Sequence, residues 1–128
     1  MIVLLVMAGA GAGAVLRWLT DRAVGRRSDS IFPWGTFTVN VVGSLILGIV
    51  AGAGARGGAD AYWYALLATG FCGGLTTFST FSYETFRLMA DGSGAMAARN
   101  VAASLAAGLL AAFAGWYLAA AVWSPAPV

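Results

Sequence analysis

The residues best suited to chemistry in this sequence are polar side chains set within long apolar runs. Thr36, Asn40 and Ser44 recur at every fourth position, which places their hydroxyl and amide groups on one face of a helix. Asn100 and Ser104 repeat this spacing later in the chain. Because an unsatisfied polar group is costly in hydrocarbon, we expect these side chains either to bond neighbouring helices or to line an ion pathway.

The segment 70–84 holds a second set of candidate residues and reads GFCGGLTTFSTFSYE. Three glycines within five residues and a pair of β-branched threonines favour helix poorly, so we expect the helix to break at the glycines. A break inside a membrane frees backbone carbonyl and amide groups, which protein, water or an ion must satisfy. Such breaks are typical of ion sites in membrane proteins. The alternative is a glycine-rich packing surface on an unbroken helix.

Beyond the break, the side chains sort onto two faces of the continuing helix. Phe78 and Phe81 share one face, and the positive edges of their rings could contact a small anion without a formal charge. A neutral amide donor such as Asn40 would add to this weak binding, which suits conduction because an ion must leave as well as enter. Lipid-facing or core packing is the alternative for the phenylalanine pair. The other face carries the hydroxyl groups of Thr76, Thr80 and Tyr83, and Ser79 lies between the two faces.

Membrane helices are the elements that must position these residues. Of the 128 residues, 60% are hydrophobic and 9% are charged, whereas about 25% are charged in a typical soluble domain. Uncharged runs predict four crossings, at about 2–19, 33–53, 61–89 and 98–123, each near the roughly 20 residues that a bilayer requires. We therefore predict an all-α membrane protein with four transmembrane helices in a single domain, 1–128. Its third helix should break near the midplane, and a proline-containing tail should follow the fourth.

The composition also argues against several other kinds of chemistry. The chain has no His and a single Cys, so we expect neither a transition-metal site nor a Cys–His nucleophile pair, and no enzyme activity. No run of basic residues offers a nucleic-acid surface. Glu84 is the only acidic residue inside a predicted crossing, and we expect it near an aqueous mouth.

Taken together, these motifs resemble those of the Fluc/CrcB fluoride channels. The segment 70–84 closely resembles the family's third-helix signature. Length and the order of four crossings also match, so the resemblance covers nearly the whole chain. The family's second-helix and first-helix motifs have counterparts here: Pro33–Thr36, Val39–Asn40, Gly43–Ser44, and Gly9–Gly13 with Arg17. The resemblance implies a multi-pass protein of a bacterial-type inner (plasma) membrane. Such a protein exports fluoride passively down its electrochemical gradient and lowers cytoplasmic fluoride.

The resemblance further implies an assembly and a set of site residues. Family members are dimers of antiparallel subunits, with a structural sodium ion at the centre that the backbone carbonyls of Gly73 and Thr76 would hold. Arg17 would lie near a vestibule and Glu84 near a pore mouth. The fluoride pathway would be lined by Asn40, Phe78, Ser79, Thr80, Phe81 and Ser104, with Thr36, Ser44 and Tyr83 as further candidates.

Two features depart from the family pattern. Many members carry Tyr one turn before the fourth-helix serine, where this chain has Asn100, so the part that Asn100 plays in the pathway is open. The arginines are also unevenly distributed, with five in or near loops one and three and only Arg56 on the opposite side. In an antiparallel homodimer, identical subunits insert in both orientations, so the arginines should be nearly equally divided between the two sides of the membrane. We favour the homodimer, with a heterodimer of oppositely oriented homologous subunits as the alternative.

Two other functions compete with the fluoride channel. A small multidrug-type, proton-coupled exporter also has four short crossings, but it needs a carboxylate within the membrane. The first crossing has none, and Glu84 lies toward the interface. A non-transporting membrane assembly subunit would leave the broken, polar third crossing unexplained.

Overall fold

The computed structural model describes residues 1–123, and these residues form an all-helical fold without strands. The predicted proline-containing tail, 124–128, lies outside the described residues. In chain order the helices are α1 (Ile2–Gly25), α2 (Trp34–Gly54), α3 (Ala61–Trp63), a π-helix (Tyr64–Cys72), α4 (Gly73–Leu75), α5 (Phe78–Ala90) and α6 (Gly94–Val122).

Three of these helices, α1, α2 and α6, are long and apolar enough to cross a membrane. Their outward faces carry exposed apolar side chains such as Val3, Leu47 and Leu110, a surface that suits lipid. The third predicted crossing is divided among α3, the π-helix, α4 and α5. No single helix within it therefore reaches the length of a crossing.

The first and last helices are longer than the sequence predicted. α1 continues past residue 19 and ends at Gly25, since no glycine or proline interrupts it after Gly13. The guanidinium of Arg22 also lies 5.2 Å from the ring of Trp18, one turn earlier. α6 begins at Gly94, ahead of the expected start near residue 98.

The third crossing breaks at a pair of threonines, and the expectation that it breaks at the glycines is wrong. Thr76 and Thr77 adopt extended backbone conformations, whereas Gly73 and Gly74 remain helical. A Cβ atom on Gly74 would collide with the backbone carbonyl of Ala10 in α1. Glycine is therefore needed there for close helix packing, and the helix loses its regular bonds only beyond it.

The π-helix packs against α1 through small residues on both partners. A Cβ atom on Gly9 would collide with the Leu66 carbonyl, and one on Gly13 with the Phe71 carbonyl. Most π-helices are single turns and are frequent at functional sites, whereas this one covers nine residues. Its contact with α1 lies directly before the break that follows.

The remaining long helices, α2 and α6, pack together in the same close manner. Gly48 of α2 lies against the carbonyl of Ala112, and Gly115 of α6 lies against the carbonyl of Leu45. Two glycine-mediated helix pairs, α1 with the π-helix and α2 with α6, thus place the threonine break between α1 and α2.

Candidate functional site

The threonine break is held in place by the side-chain amide of Asn40. Its Nδ2 donates to the Thr77 carbonyl at 3.1 Å, and its Oδ1 accepts from the Thr77 N–H at 2.8 Å. A regular helix would pair that N–H with the carbonyl of Gly73, four residues earlier. The amide of Asn40 therefore satisfies Thr77 in place of the helix and releases the Gly73 carbonyl.

A positive charge lies on the other side of the break. Arg17 in α1 donates from Nη1 to the Thr76 carbonyl at 3.2 Å. The Thr76 hydroxyl turns back and donates to the Cys72 carbonyl at 2.8 Å. The guanidinium of Arg17 thus gives the break a positively charged neighbour, and its place near a vestibule stays a prediction.

Thr77, which the sequence analysis did not select, is the centre of the hydroxyl cluster. Its Oγ1 accepts from the Thr80 N–H at 3.2 Å, which makes Thr77 the N-cap of α5, and it donates to Thr80 Oγ1 at 3.0 Å. Ser79 Oγ lies 3.4 Å from the same oxygen. A threonine just before a resumed helix is a common N-cap, and that signal could have identified it.

A groove of about 410 Å³ collects most of the predicted pathway residues. The rings of Phe78 and Phe81 lie 5.9 Å apart, at 40° to each other, and Phe78 is 79% exposed. The groove thus combines phenyl rings, hydroxyls and an amide without a charged side chain among its lining residues. The site residues that line it are Asn40, Ser44, Gly73, Thr76, Phe78, Phe81 and Ser104.

A smaller cavity of about 210 Å³ lies on the side of the break that faces α1. It is lined by Arg17, Asp21, Thr36 and Thr80, among others, and Thr77 lines both this cavity and the groove. The break therefore separates a cavity that holds both a cationic and an acidic side chain from a groove whose lining residues are all uncharged.

Glu84 lies at a third cavity, of about 380 Å³, next to the loop between α1 and α2. Its Oε1 accepts from the Thr36 hydroxyl at 2.9 Å, whereas Oε2 is buried without a hydrogen-bond partner among the described residues. Asp21 and Arg87 also line this cavity. Thr36 thus connects the cavity around Arg17 with the cavity around Glu84.

Three of the candidates do not line these cavities: Ser79, Tyr83 and Asn100. Tyr83 is 63% exposed on α5, and Asn100 is only 1% exposed. Asn100 instead donates from Nδ2 to Thr85 Oγ1 at 2.9 Å and accepts from Ser104 Oγ at 3.4 Å. Thr85 was not selected from the sequence, although a polar residue one turn after Phe81 in an apolar crossing was a usable signal.

Comparison with known proteins identifies relatives along almost the entire chain. A model of the family described as CrcB-like protein, Camphor Resistance (CrcB), matches residues 4–116. A protein named Fluoride-specific ion channel FluC 1 from Streptomyces avermitilis is 57% identical over 121 residues, covering 94% of this chain and 98% of that protein. Its namesake from Frankia casuarinae is 60% identical over 126 residues, with coverages of 94% and 97%. Fluoride-specific ion channel FluC 2 from Rhodococcus jostii is 48% identical over 118 residues, with coverages of 92% and 98%.

Proposed function

The chain belongs to the CrcB family, and from this membership we infer that it is a fluoride-selective ion channel. The observation that carries this conclusion is the identity of 57–60% to relatives named fluoride-specific ion channels, over 94% of the chain. Such a channel lets fluoride leave the cell down its electrochemical gradient and thereby lowers cytoplasmic fluoride. We propose that the chain crosses the plasma membrane several times.

The groove has the chemistry that passive conduction of fluoride needs. Fluoride loses hydration water on entry, and neutral donors must replace that water without binding the ion too tightly. The ring edges of Phe78 and Phe81 and the hydroxyl of Ser104 offer such weak contacts along the groove. Arg17, on the other side of the break, would attract the anion toward it without lying among the lining residues of the groove.

We propose that four crossings, the third of them broken, form each subunit of an antiparallel dimer. The groove is an open surface of one chain, and Phe78 is exposed along it. The hydroxyl and amide groups that line it, from residues such as Asn40, Ser44 and Ser104, are costly to expose to lipid. A second copy placed over the groove would remove that cost and enclose the ion pathway.

The positions of two arginines in the structure support an antiparallel homodimer better than their positions in the sequence did. Arg87 lies in the last turn of α5 and pairs with Asp91 at 3.8 Å. Arg99 lies within α6, 5.4 Å from the ring of Phe32. Arginines within helices should weigh less in orientation than arginines in loops. The numerals in names such as FluC 1 and FluC 2 keep a heterodimer with a homologous subunit as the alternative.

A structural sodium ion at the centre of the dimer is part of the proposal. Backbone carbonyls are suitable oxygen ligands for such a hard cation. The Gly73 carbonyl has lost its helical N–H to Asn40, and the Thr76 carbonyl, which accepts from Arg17, keeps a second lone pair. Two oxygens from one chain leave the coordination incomplete, so equivalent oxygens from a second copy would be required. When bound, the ion would link the threonine break of one subunit to the equivalent break of the other.

Efflux from liposomes tests the proposed channel. The purified protein is reconstituted with internal fluoride or chloride, and external ion-selective electrodes follow each anion after the membrane potential is collapsed. Fast fluoride efflux with little chloride efflux is expected. Absence of fluoride efflux from well-folded protein alone, but efflux after addition of a homologous subunit, would favour the heterodimer. Proton-dependent efflux of a lipophilic cation would favour the multidrug-type exporter instead.

A further inference from the structure

A chain of three side-chain hydrogen bonds connects α6 to α5 behind the wall of the groove. Ser104 Oγ donates to Asn100 Oδ1 at 3.4 Å, Asn100 Nδ2 donates to Thr85 Oγ1 at 2.9 Å, and Thr85 Oγ1 donates to the Phe81 carbonyl at 2.7 Å. Ser104 and Phe81 both line the groove, whereas Asn100 is 1% exposed. Ser104 and Phe81, at the two ends of this series of hydrogen bonds, thus line the proposed pathway, whereas Asn100 in the middle is buried away from it.

The direction of all three bonds follows from the end at Phe81. A carbonyl oxygen only accepts, so the Thr85 hydroxyl must donate its single proton to it. Thr85 Oγ1 can then only accept from Asn100, which must present its NH₂ group there. The amide oxygen of Asn100 is left facing Ser104, and the Ser104 hydroxyl must therefore donate to Asn100.

This direction decides what Ser104 offers to the groove. While its proton is directed to Asn100, the hydroxyl presents lone pairs to the groove, and lone pairs repel an anion. To bind fluoride, Ser104 must turn its proton away from Asn100 and leave the buried amide oxygen unpaired, which is costly. The bond to be broken is long at 3.4 Å, compared with about 2.7–2.8 Å for an ordinary O–H···O bond, so the cost is limited.

We propose that Asn100 is a positioning residue that weakens the binding of fluoride at Ser104 by competing for the Ser104 proton. The inference rests on the proposed channel function. Weak binding at this hydroxyl favours release of the ion and hence a high maximal flux. Asn100 itself contacts no fluoride and acts only through Ser104.

Asn100→Leu tests this role because it removes the competing oxygen at similar side-chain size. Thr85 keeps its bond to the Phe81 carbonyl in this variant. The concentration of fluoride at half-maximal flux, measured by liposome efflux, is expected to fall about tenfold, equivalent to 1.4 kcal/mol, and the maximal flux is expected to fall as well. Thr85→Val is a second variant, which leaves Asn100 in place but frees its amide to turn its NH₂ group toward Ser104. It is expected to shift the half-maximal concentration in the same direction.

As a control, both substitutions are also made in a protein that already carries Ser104→Ala. If Asn100 acts through Ser104, Asn100→Leu and Thr85→Val should leave the half-maximal concentration of Ser104→Ala unchanged. An equal shift in both backgrounds would show a general packing effect and overturn the inference. An unchanged or raised half-maximal concentration in the single variants would also overturn it. Absence of fluoride efflux from the unmodified protein would instead overturn the proposed function, and this inference with it.

Discussion

At the scale of single residues, Asn40 combines two tasks that its amide alone can perform. One side of the amide donates to Thr77 and the other side accepts from it, and a carboxylate could do only the second. Asn40 also lines the groove, where its neutrality matters to a passing anion. A substitution that keeps the shape and changes the charge therefore tests the proposed pathway together with the donation to the Thr77 carbonyl.

Asn40→Asp is expected to slow fluoride efflux about a hundredfold. A carboxylate about 6 Å from the ion would repel it by roughly 3 kcal/mol at an effective dielectric constant of about 20, which corresponds to that factor in rate. Liposome efflux measures the rate, and size-exclusion chromatography monitors assembly. Thr38→Val is the control on the same helix, since the Thr38 hydroxyl bonds only to the Trp34 carbonyl one turn earlier. Normal conduction by Asn40→Asp would place Asn40 outside the pathway.

Phe81→Ile tests the argument from ring edges. The substitution roughly keeps the volume and removes the positive edge, whose interactions are worth about 0.5–1.5 kcal/mol, so fluoride efflux should fall about two- to tenfold with assembly intact. Phe86→Ile is the matched control, because Phe86 is 68% exposed on the same helix and does not line the groove. Equal efflux by both variants would remove the ring edges from the mechanism.

The spacing of residues along the sequence predicts which side chains share a helix face, but it does not predict contacts between helices. Spacing alone predicted that Phe78 and Phe81 share a face, and they are in ring contact in the structure. Spacing could not reveal that Asn40 bonds to Thr77 or that Asn100 bonds to Thr85. These partners are 37 and 15 residues apart, and their contact depends on how whole helices pack.

At the scale of elements, the position of the break illustrates the same limit. Low helix propensity predicted a break within the third crossing, but glycine favours a helix break and close helix packing for the same reason, the absence of a Cβ atom. Gly74 stays helical in close contact with Ala10 of α1, and the amide of Asn40 takes the Thr77 N–H that a regular helix would pair with Gly73. Both contacts are made by residues of other helices, so the sequence of segment 70–84 alone does not predict them.

Alanine substitutions in α1 test the packing that positions the break. Gly9→Ala would force a Cβ atom into the Leu66 carbonyl, whereas Gly11 has nothing within 4 Å. Gly9→Ala should lower the free energy of unfolding by about 1–3 kcal/mol, the usual cost of overpacking. Gly11→Ala should leave it unchanged or raise it slightly, because alanine favours helix. Thermal unfolding in detergent compares the two variants, and equal stabilities would argue against this helix contact.

At the scale of the whole molecule, the composition predicts that the protein lies in a membrane, but it does not predict how many subunits assemble. An apolar content of 60% predicts a membrane protein, and three long apolar helices agree with it. The open groove favours a covering partner, but the number and orientation of the copies need a separate test. Evidence about the second copy must come from a position that contacts nothing within its own chain.

Gly73 is such a position, and its substitution tests the proposed centre of the dimer. It is exposed, and a Cβ atom added to it would have nothing within 4 Å, so its own chain should tolerate a side chain there. In the proposed dimer, the Gly73 carbonyl shares a cation with a second copy, and a charged side chain beside it would disturb that ligand set and introduce like charges across the symmetry axis. Gly73→Asp should therefore convert dimers to monomers, measured by light scattering in detergent. Gly73→Ala, the uncharged control, should disturb assembly less. A normal dimer of Gly73→Asp would argue against a central cation site, and it would do so without reference to fluoride flux.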